Sequence, residues 1–346
     1  MKSMTFMPKI VKNIAAIFIW WFCYIPLNAL IIVIFIKHAL SGKKAIKVEP
    51  QSYENDDQRI RALVERNLAG CDPDNEDEGF GTRFERQMMA DLLKDLAQRY
   101  RITSVLESPA DGVTGVPGAN SLPLAAMVQK PVLLANPSEL LLQQAQKTWE
   151  KKGLISRAKF LKNSITSLPL QTGEYDLVWS FCMMERMKDP VSYLKESARV
   201  SGKVVLMVTL NYNNHGTWLH RIYHRIKGIE WDHGNFTMMG HKGIIAALED
   251  AGLTVLEKGA ADVPPSWDTW DMPLGSDIGK ITAIFGKKWE WKMAEVDQKP
   301  GFLLNMFGWV EDNLPGWFKT QQAHHLYVIA RSGAPNTNLS QDEVLS

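Results

Sequence analysis

Ile102-Thr-Ser-Val-Leu-Glu-Ser-Pro-Ala-Asp-Gly-Val-Thr-Gly-Val-Pro-Gly118 reads as a buried strand that ends on an acid and runs into a glycine loop. Gly112, Gly115 and Gly118 allow positive φ and let a ligand approach the backbone where any Cβ would hold it off. Glu107 stands where the strand stops and is placed to accept hydrogen bonds from a ribose. Glycine loops also close ordinary strand-to-helix turns, so the rest of the chain has to decide what this one is for.

Downstream, strands and helices alternate. Residues 131–135 form an apolar strand ending at Asn136, 140–151 a helix, 158–161 a short strand and 175–181 another. Residues 191–200 read as a helix, 202–210 as a strand, and 242–251 as a helix closed by Gly252. Residues 253–258 and 325–330 complete seven strands. This pattern belongs to a mostly parallel sheet covered on both faces, with the ligand at the carboxyl ends where the strand order reverses. Upstream, Ile60, Leu63, Val64 and Leu68 fall at helical spacing, as do Phe84, Met88, Met89, Leu92 and Leu96 in a helix over 82–100.

Three stretches carry a resemblance: Leu168-Pro-Leu170 followed by Glu174-Tyr-Asp-Leu-Val-Trp-Ser180, then Met184-Glu-Arg-Met-Lys-Asp-Pro190, and the run from Gly240 to Leu253. They resemble the fourth-strand region and the fifth helix of class I S-adenosylmethionine-dependent methyltransferases. The resemblance covers residues 80–262 and the last strand. It implies a Rossmann-like, seven-stranded α/β sheet with the last strand antiparallel, and S-adenosyl-L-methionine lying across the ends of the first, second and fourth strands. Carried over by position, it implies cofactor contacts from Glu107, Asp111, Gly112, Gly115, Asn136, Ser164, Ile165, Ser180 and Phe181. The chain departs from the family in three places. Pro109 and Asp111 stand where glycines are usual, Asn136 replaces the acid that binds both ribose hydroxyls, and Ser164 replaces the acid that receives the adenine amino group. A nicotinamide-dependent reductase would suit the glycine loop but not the later motifs.

The chain of 346 residues is 45% hydrophobic with a formal net charge of +1, which provides no global field for nucleic acid. Its three cysteines lack disulfide or zinc-ligand spacing and suit a reducing compartment. From Ile14 to Ile36 run 23 residues without a charge, long enough to cross a hydrocarbon core of roughly 30 Å. The expectation is a single-pass anchor over residues 1–40, with Pro26-Leu-Asn28 leaving a re-entrant hairpin as the alternative. A linker and short helix over 41–78 then lead into a methyltransferase-like domain over 79–332, facing the cytoplasm where the cofactor is available. The tail, 333–346, is expected to be disordered.

Two insertions interrupt that domain. The first, 211–239, carries His215, His220, His224 and His233 with Tyr212, Trp218, Tyr223 and Trp231, and it lies over the expected methyl position. His233 and Tyr212 are the catalytic candidates, since a near-neutral imidazole suits proton removal. His220 and His224, one turn apart beside Arg221 and Arg225, read as an exposed polar face, and no metal site is assigned. The second insertion, 263–322, is rich in tryptophan (Trp267, Trp270, Trp289, Trp291, Trp309 and Trp317) and suits a membrane interface. The partners implied are the lipid bilayer, an amphiphilic or lipid-linked substrate, and a membrane protein. A methyltransferase-fold scaffold that no longer catalyses is the rival reading.

Overall fold

The computed structural model describes residues 7–40, 53–68, 80–111, 116–228, 231, 233–264 and 301–332. Gly112 and Gly115, the acidic run 72–78, Trp267, Trp270, Trp289, Trp291 and the tail 333–346 lie outside the described residues.

Seven strands form one sheet in the order β3-β2-β1-β4-β5-β7-β6. They are β1 (Val105–Glu107), β2 (Val132–Asn136), β3 (Ala158–Lys162), β4 (Tyr175–Phe181), β5 (Ser201–Leu210), β6 (Leu253–Ala261) and β7 (His325–Ser332). β1 to β5 pair in parallel, while β7 runs antiparallel between β5 and β6. This is the expected Rossmann-like class. Every residue of β2 is buried, as a continuous apolar run flanked on both sides by strands requires. The order reverses at β1, between β2 and β4, and the carboxyl ends of β1, β2 and β4 therefore share one rim. Because β7 is antiparallel, its first residue, His325, reaches that same rim opposite Leu210 and Ala261.

The helices are α1 (Lys9–Leu40), α2 (Asp56–Leu68), α3 (Phe80–Arg99), α4 (Glu139–Lys151), α5 (Pro190–Val200), α6 (His215–Lys227), α7 (His241–Asp250), α8 (Phe302–Asn313) and α9 (Gly316–Gln322). Side-chain caps fix several of their starts: Ser138 accepts from Leu141 N–H, Asp189 from Ser192 N–H ahead of Pro190, and Asn214 from Gly216 N–H. Gly118 marks the return of the glycine loop to the core. It has φ +73°, and a Cβ there would meet Ala145 Cβ of α4 at 2.7 Å. Its carbonyl accepts Trp149 Nε1 at 3.0 Å, which locks loop to helix. The short helix of the expected linker is bound to the domain, because Asp56 accepts from the Lys188 and Asp189 N–H groups and Asp57 from that of Ile165.

α1 is long and apolar enough to cross a membrane. It runs unbroken through Pro26, so the hairpin alternative is not what forms. One face packs on the domain. Ala16 and Trp20 join the main core, Trp20 Nε1 donates to Val263 O at 3.3 Å and its ring meets Phe318 edge-on at 5.0 Å. Further along, Ile31 and Ile34 pack against Tyr223 of α6.

Candidate functional site

The carboxyl rim holds the cofactor candidates. Glu107 is fully buried, and its two oxygens accept Asp111 N–H at 2.9 Å and Ser121 Oγ at 2.5 Å. Burial pushes its carboxyl up to about 7 despite those two hydrogen bonds. In this arrangement Glu107 braces the glycine loop. Asp111, also buried, accepts from Asn120 Nδ2 at 3.0 Å. Asn136 Nδ2 donates to Ala110 O and its Oδ1 accepts Ser138 N–H, leaving one lone pair of that oxygen for a ribose. Ser180 and Phe181 are buried at the end of β4. Ser164 bonds locally with Thr166, and the Ile165 N–H is given to Asp57.

A second group on the rim escaped the sequence reading. His325 Nε2 lies 3.0 Å from Glu85 Oε2 of α3 and 3.8 Å from Asp262 Oδ2, while its Nδ1 lies 3.4 Å from Cys182 Sγ. Its ring packs against Phe181 with centroids 4.8 Å apart, which ties this cluster to the end of β4. Burial opposes a charge on His325, but the hydrogen bond and charge of Glu85 raise its pKa above the ordinary value. Two of the three described non-glycine residues with positive φ, Cys182 (+52°) and Asp262 (+67°), flank this one imidazole. Such backbone is held only where its surroundings over-determine it, and it gathers at functional sites. A buried imidazole–carboxylate couple can take up and return a proton. Only the pair His324-His325 at the start of the last strand hinted at it. Glu85 and Asp262 are distant in sequence, and topology alone brings them together.

The histidine insertion is arranged differently from its reading. His220 and His224 are not an exposed polar face: both are 5% exposed, and they turn inward with His233, which is 7% exposed. The exposed face of α6 carries Trp218, Ile222 and Ile226 instead. His233 reaches the cluster because Gly234, with φ +112°, packs against Glu185 O, and Asn235 N–H donates to that same carbonyl at 2.6 Å. Tyr212 is exposed after β5 and packs over Gly240. The structure thus groups His233 with His220 and His224, and places Tyr212 at the surface against Gly240.

A Rossmann-like sheet with loop-braced polar groups along the carboxyl ends of β1, β2 and β4 defines a nucleotide-type cofactor site. Residues 113–206, from the glycine loop into β5, match the family model described as a methyltransferase domain. This stretch is therefore similar to the S-adenosylmethionine-binding part of a class I methyltransferase domain, and the cofactor that this similarity supports is S-adenosylmethionine. No curated protein matches the sequence. Among solved structures the chain is similar to the cyclase SpnF at 17% identity, covering 84% of this chain and 99% of that one with a TM-score of 0.48. It is also similar to a SAM-dependent methyltransferase from Aquifex aeolicus, at 17% identity over 57% of this chain and 93% of that one, TM-score 0.41. A third is geranyl diphosphate C-methyltransferase from Streptomyces coelicolor in complex with magnesium, geranyl diphosphate and S-adenosyl-L-homocysteine. That one shows 11% identity over 70% of this chain and 76% of its own, TM-score 0.42.

The residues present fit the cofactor. Ser108 Oγ, buried at the end of β1, has no hydrogen-bond partner among the described residues, which is what a polar ligand completes. Ser108, Asn136 and Ser180 would hold the cofactor at the ends of β1, β2 and β4. When bound, it supplies an electrophilic methyl group carried on a sulfonium.

Proposed function

We propose that the protein transfers methyl groups to a membrane-associated, amphiphilic acceptor, with the domain lying against the cytoplasmic face of the bilayer. One observation carries this reading. Among the described residues, every large exposed apolar side chain except Leu140, Ile155 and Tyr212 sits on α1, α6, α8 or α9. On α1 these include Phe18 (70% exposed) and Phe22 (74%), and beside it stand Trp218, Ile222 and Ile226 of α6, Phe302 and Leu303 of α8, and Trp317 of α9. Exposed apolar surface concentrated on these helices is costly in water and suits lipid. Contacts with the domain run from Ala16 to Ile34, about 27 Å of helix at 1.5 Å per residue. A helix attached along that length favours an anchor lying in the membrane interface over a free crossing. Exposed Lys9, Lys37, Arg221 and Arg225 around it suit anionic headgroups.

The test uses full-length protein, labelled S-adenosylmethionine and vesicles carrying a lipid extract. Replacing Ile222 and Ile226 by Glu is expected to weaken vesicle binding and transfer into the extract while cofactor affinity stays unchanged. Equal transfer by wild type and variant would refute the membrane acceptor. The scaffold reading draws on the engaged oxygens of Glu107 and Asn136. Calorimetric titration with S-adenosylmethionine separates the two, because a scaffold would show no heat of binding at millimolar ligand.

A further inference from the structure

We infer that His220, His224 and His233 form a binding site for a first-row divalent transition metal, with Zn2+ as the reference ion. The i, i+4 spacing on α6 puts His220 and His224 one turn apart on the face turned into the protein, with their Nε2 atoms 3.1 Å apart. Two imidazole nitrogens bound tetrahedrally to zinc at 2.0–2.1 Å stand about 3.3 Å apart, so this pair already has chelate spacing. His233 closes the triad. Its ring centroid lies 4.5 Å from that of His220 and 5.1 Å from that of His224, and one donor atom from each of the three residues falls within 4.8 Å of the others.

The surroundings suit a metal centre. All three imidazoles are buried, and Trp231 packs edge-on against each of them, with centroids 5.7, 5.5 and 4.7 Å away. Phe236 stacks behind Trp231 at 5.2 Å. This aromatic wall limits water on one side and holds the donors still. The return that delivers His233 is also built for it: Gly228 ends α6 in the left-handed conformation, and Gly234 follows a path closed to any side chain. The chemistry differs from that of the cluster around His325, where Glu85 and Asp262 balance the imidazole. Three imidazoles supply three borderline-soft nitrogen donors, a set that takes Zn2+, Co2+, Ni2+ or Cu2+ in preference to Mg2+ or Ca2+. Three protein ligands leave a fourth position for water or for an oxygen or sulfur donor of a substrate, the pattern of catalytic rather than structural zinc. The site stands whether or not methyl transfer occurs.

Metal-stripped full-length protein in mild detergent, titrated with Co2+, tests this inference. One Co2+ per chain is expected, with the intense visible absorption of tetrahedral cobalt, displaced by Zn2+. His224→Gln should weaken binding by about 100-fold, as loss of one of three ligands requires, while His215→Gln on the exposed face of the same helix should change nothing. Absence of one-to-one binding at micromolar Co2+, or equal binding by His224→Gln, overturns the assignment. X-ray absorption on the zinc-loaded wild type needs no variant. Three imidazole ligands support the site, and two or fewer overturn it.

Discussion

His325 Nε2 lies 3.0 Å from Glu85 Oε2, joining the first residue of the last strand to the helix that precedes the first. The carboxylate holds the buried imidazole above its ordinary pKa. A group whose pKa rises on folding adds stability that is full below its unfolded value, near 6.5, and is lost as pH rises through the folded value. Glu85→Gln is therefore expected to cost about 1–3 kcal/mol at pH 5.5 and much less at pH 9. Denaturant unfolding at the two pH values measures both, and an equal loss at each would contradict a proton held between these residues. The His325 ring resonances should also titrate at lower pH in the variant.

The sheet was legible because its strands are apolar runs bounded by Gly, Pro and Asn, and each observed strand overlaps its expected span. β6 and β7 run a few residues longer, to Ala261 and Ser332, since each gains ladder partners that only the paired sheet supplies. The site was less legible. On α6, periodicity separates Trp218, Ile222 and Ile226 from His220, Tyr223 and His224, but it does not say which stripe meets water. The ordinary rule puts the apolar stripe inward, and here that stripe faces outward. Glu85, Asp262 and His325 were beyond reach for another reason. They come from a helix, a strand end and a strand start that meet only once β7 inserts between β5 and β6.

Glu107 gives a test with the same pH slope, in which the variant gains stability instead of losing it. Its folded pKa of about 7 stands above the ordinary 4.5, so the native state holds a proton that the unfolded chain releases between those values. Stability then falls as pH rises from 4.5 to 7, by roughly 3 kcal/mol at 1.36 kcal/mol per pH unit. Glu107→Gln keeps an acceptor for Asp111 N–H and offers a donor to Ser121 Oγ. The variant is expected to match wild type near pH 4.5 and exceed its stability at pH 8. Glu311, raised by burial to about 7 as well, retains its own slope in both proteins, so the difference between the two isolates Glu107. Parallel stability curves for wild type and variant would rule the assignment out.

Gly234 has φ +112°, and a Cβ there would stand 2.4 Å from Glu185 O. Backbone strain and a forced shift of the Glu185 turn act together, so Gly234→Ala is expected to cost about 2–4 kcal/mol. Gly228→Ala is the control. Its φ is +66° but nothing lies within 4 Å of the added methyl, which limits the loss to about 1 kcal/mol. Thermal unfolding of the two variants side by side checks the ranking, and a smaller effect at Gly234 would mean the His233 return does not require glycine.

Trp20 and Phe18 separate the two faces of α1. Trp20 is 1% exposed, donates to Val263 O and stacks edge-on with Phe318, whereas Phe18 is 70% exposed on the same helix. If the inner face fastens the helix to the domain, Trp20→Ala should destabilise the detergent-solubilised protein by about 3–5 kcal/mol, the usual range for removing a buried tryptophan. It should also speed proteolytic release of α1. Phe18→Ser removes apolar area that only lipid would cover, so its thermal unfolding in detergent should match wild type within about 0.5 kcal/mol. Its partition onto vesicles should fall by roughly tenfold, the effect of about 1.4 kcal/mol of lost burial. The opposite assignment of the two effects, with Phe18→Ser destabilising the fold and Trp20→Ala weakening only vesicle binding, would mean that the face now buried on the domain is the one that meets the membrane.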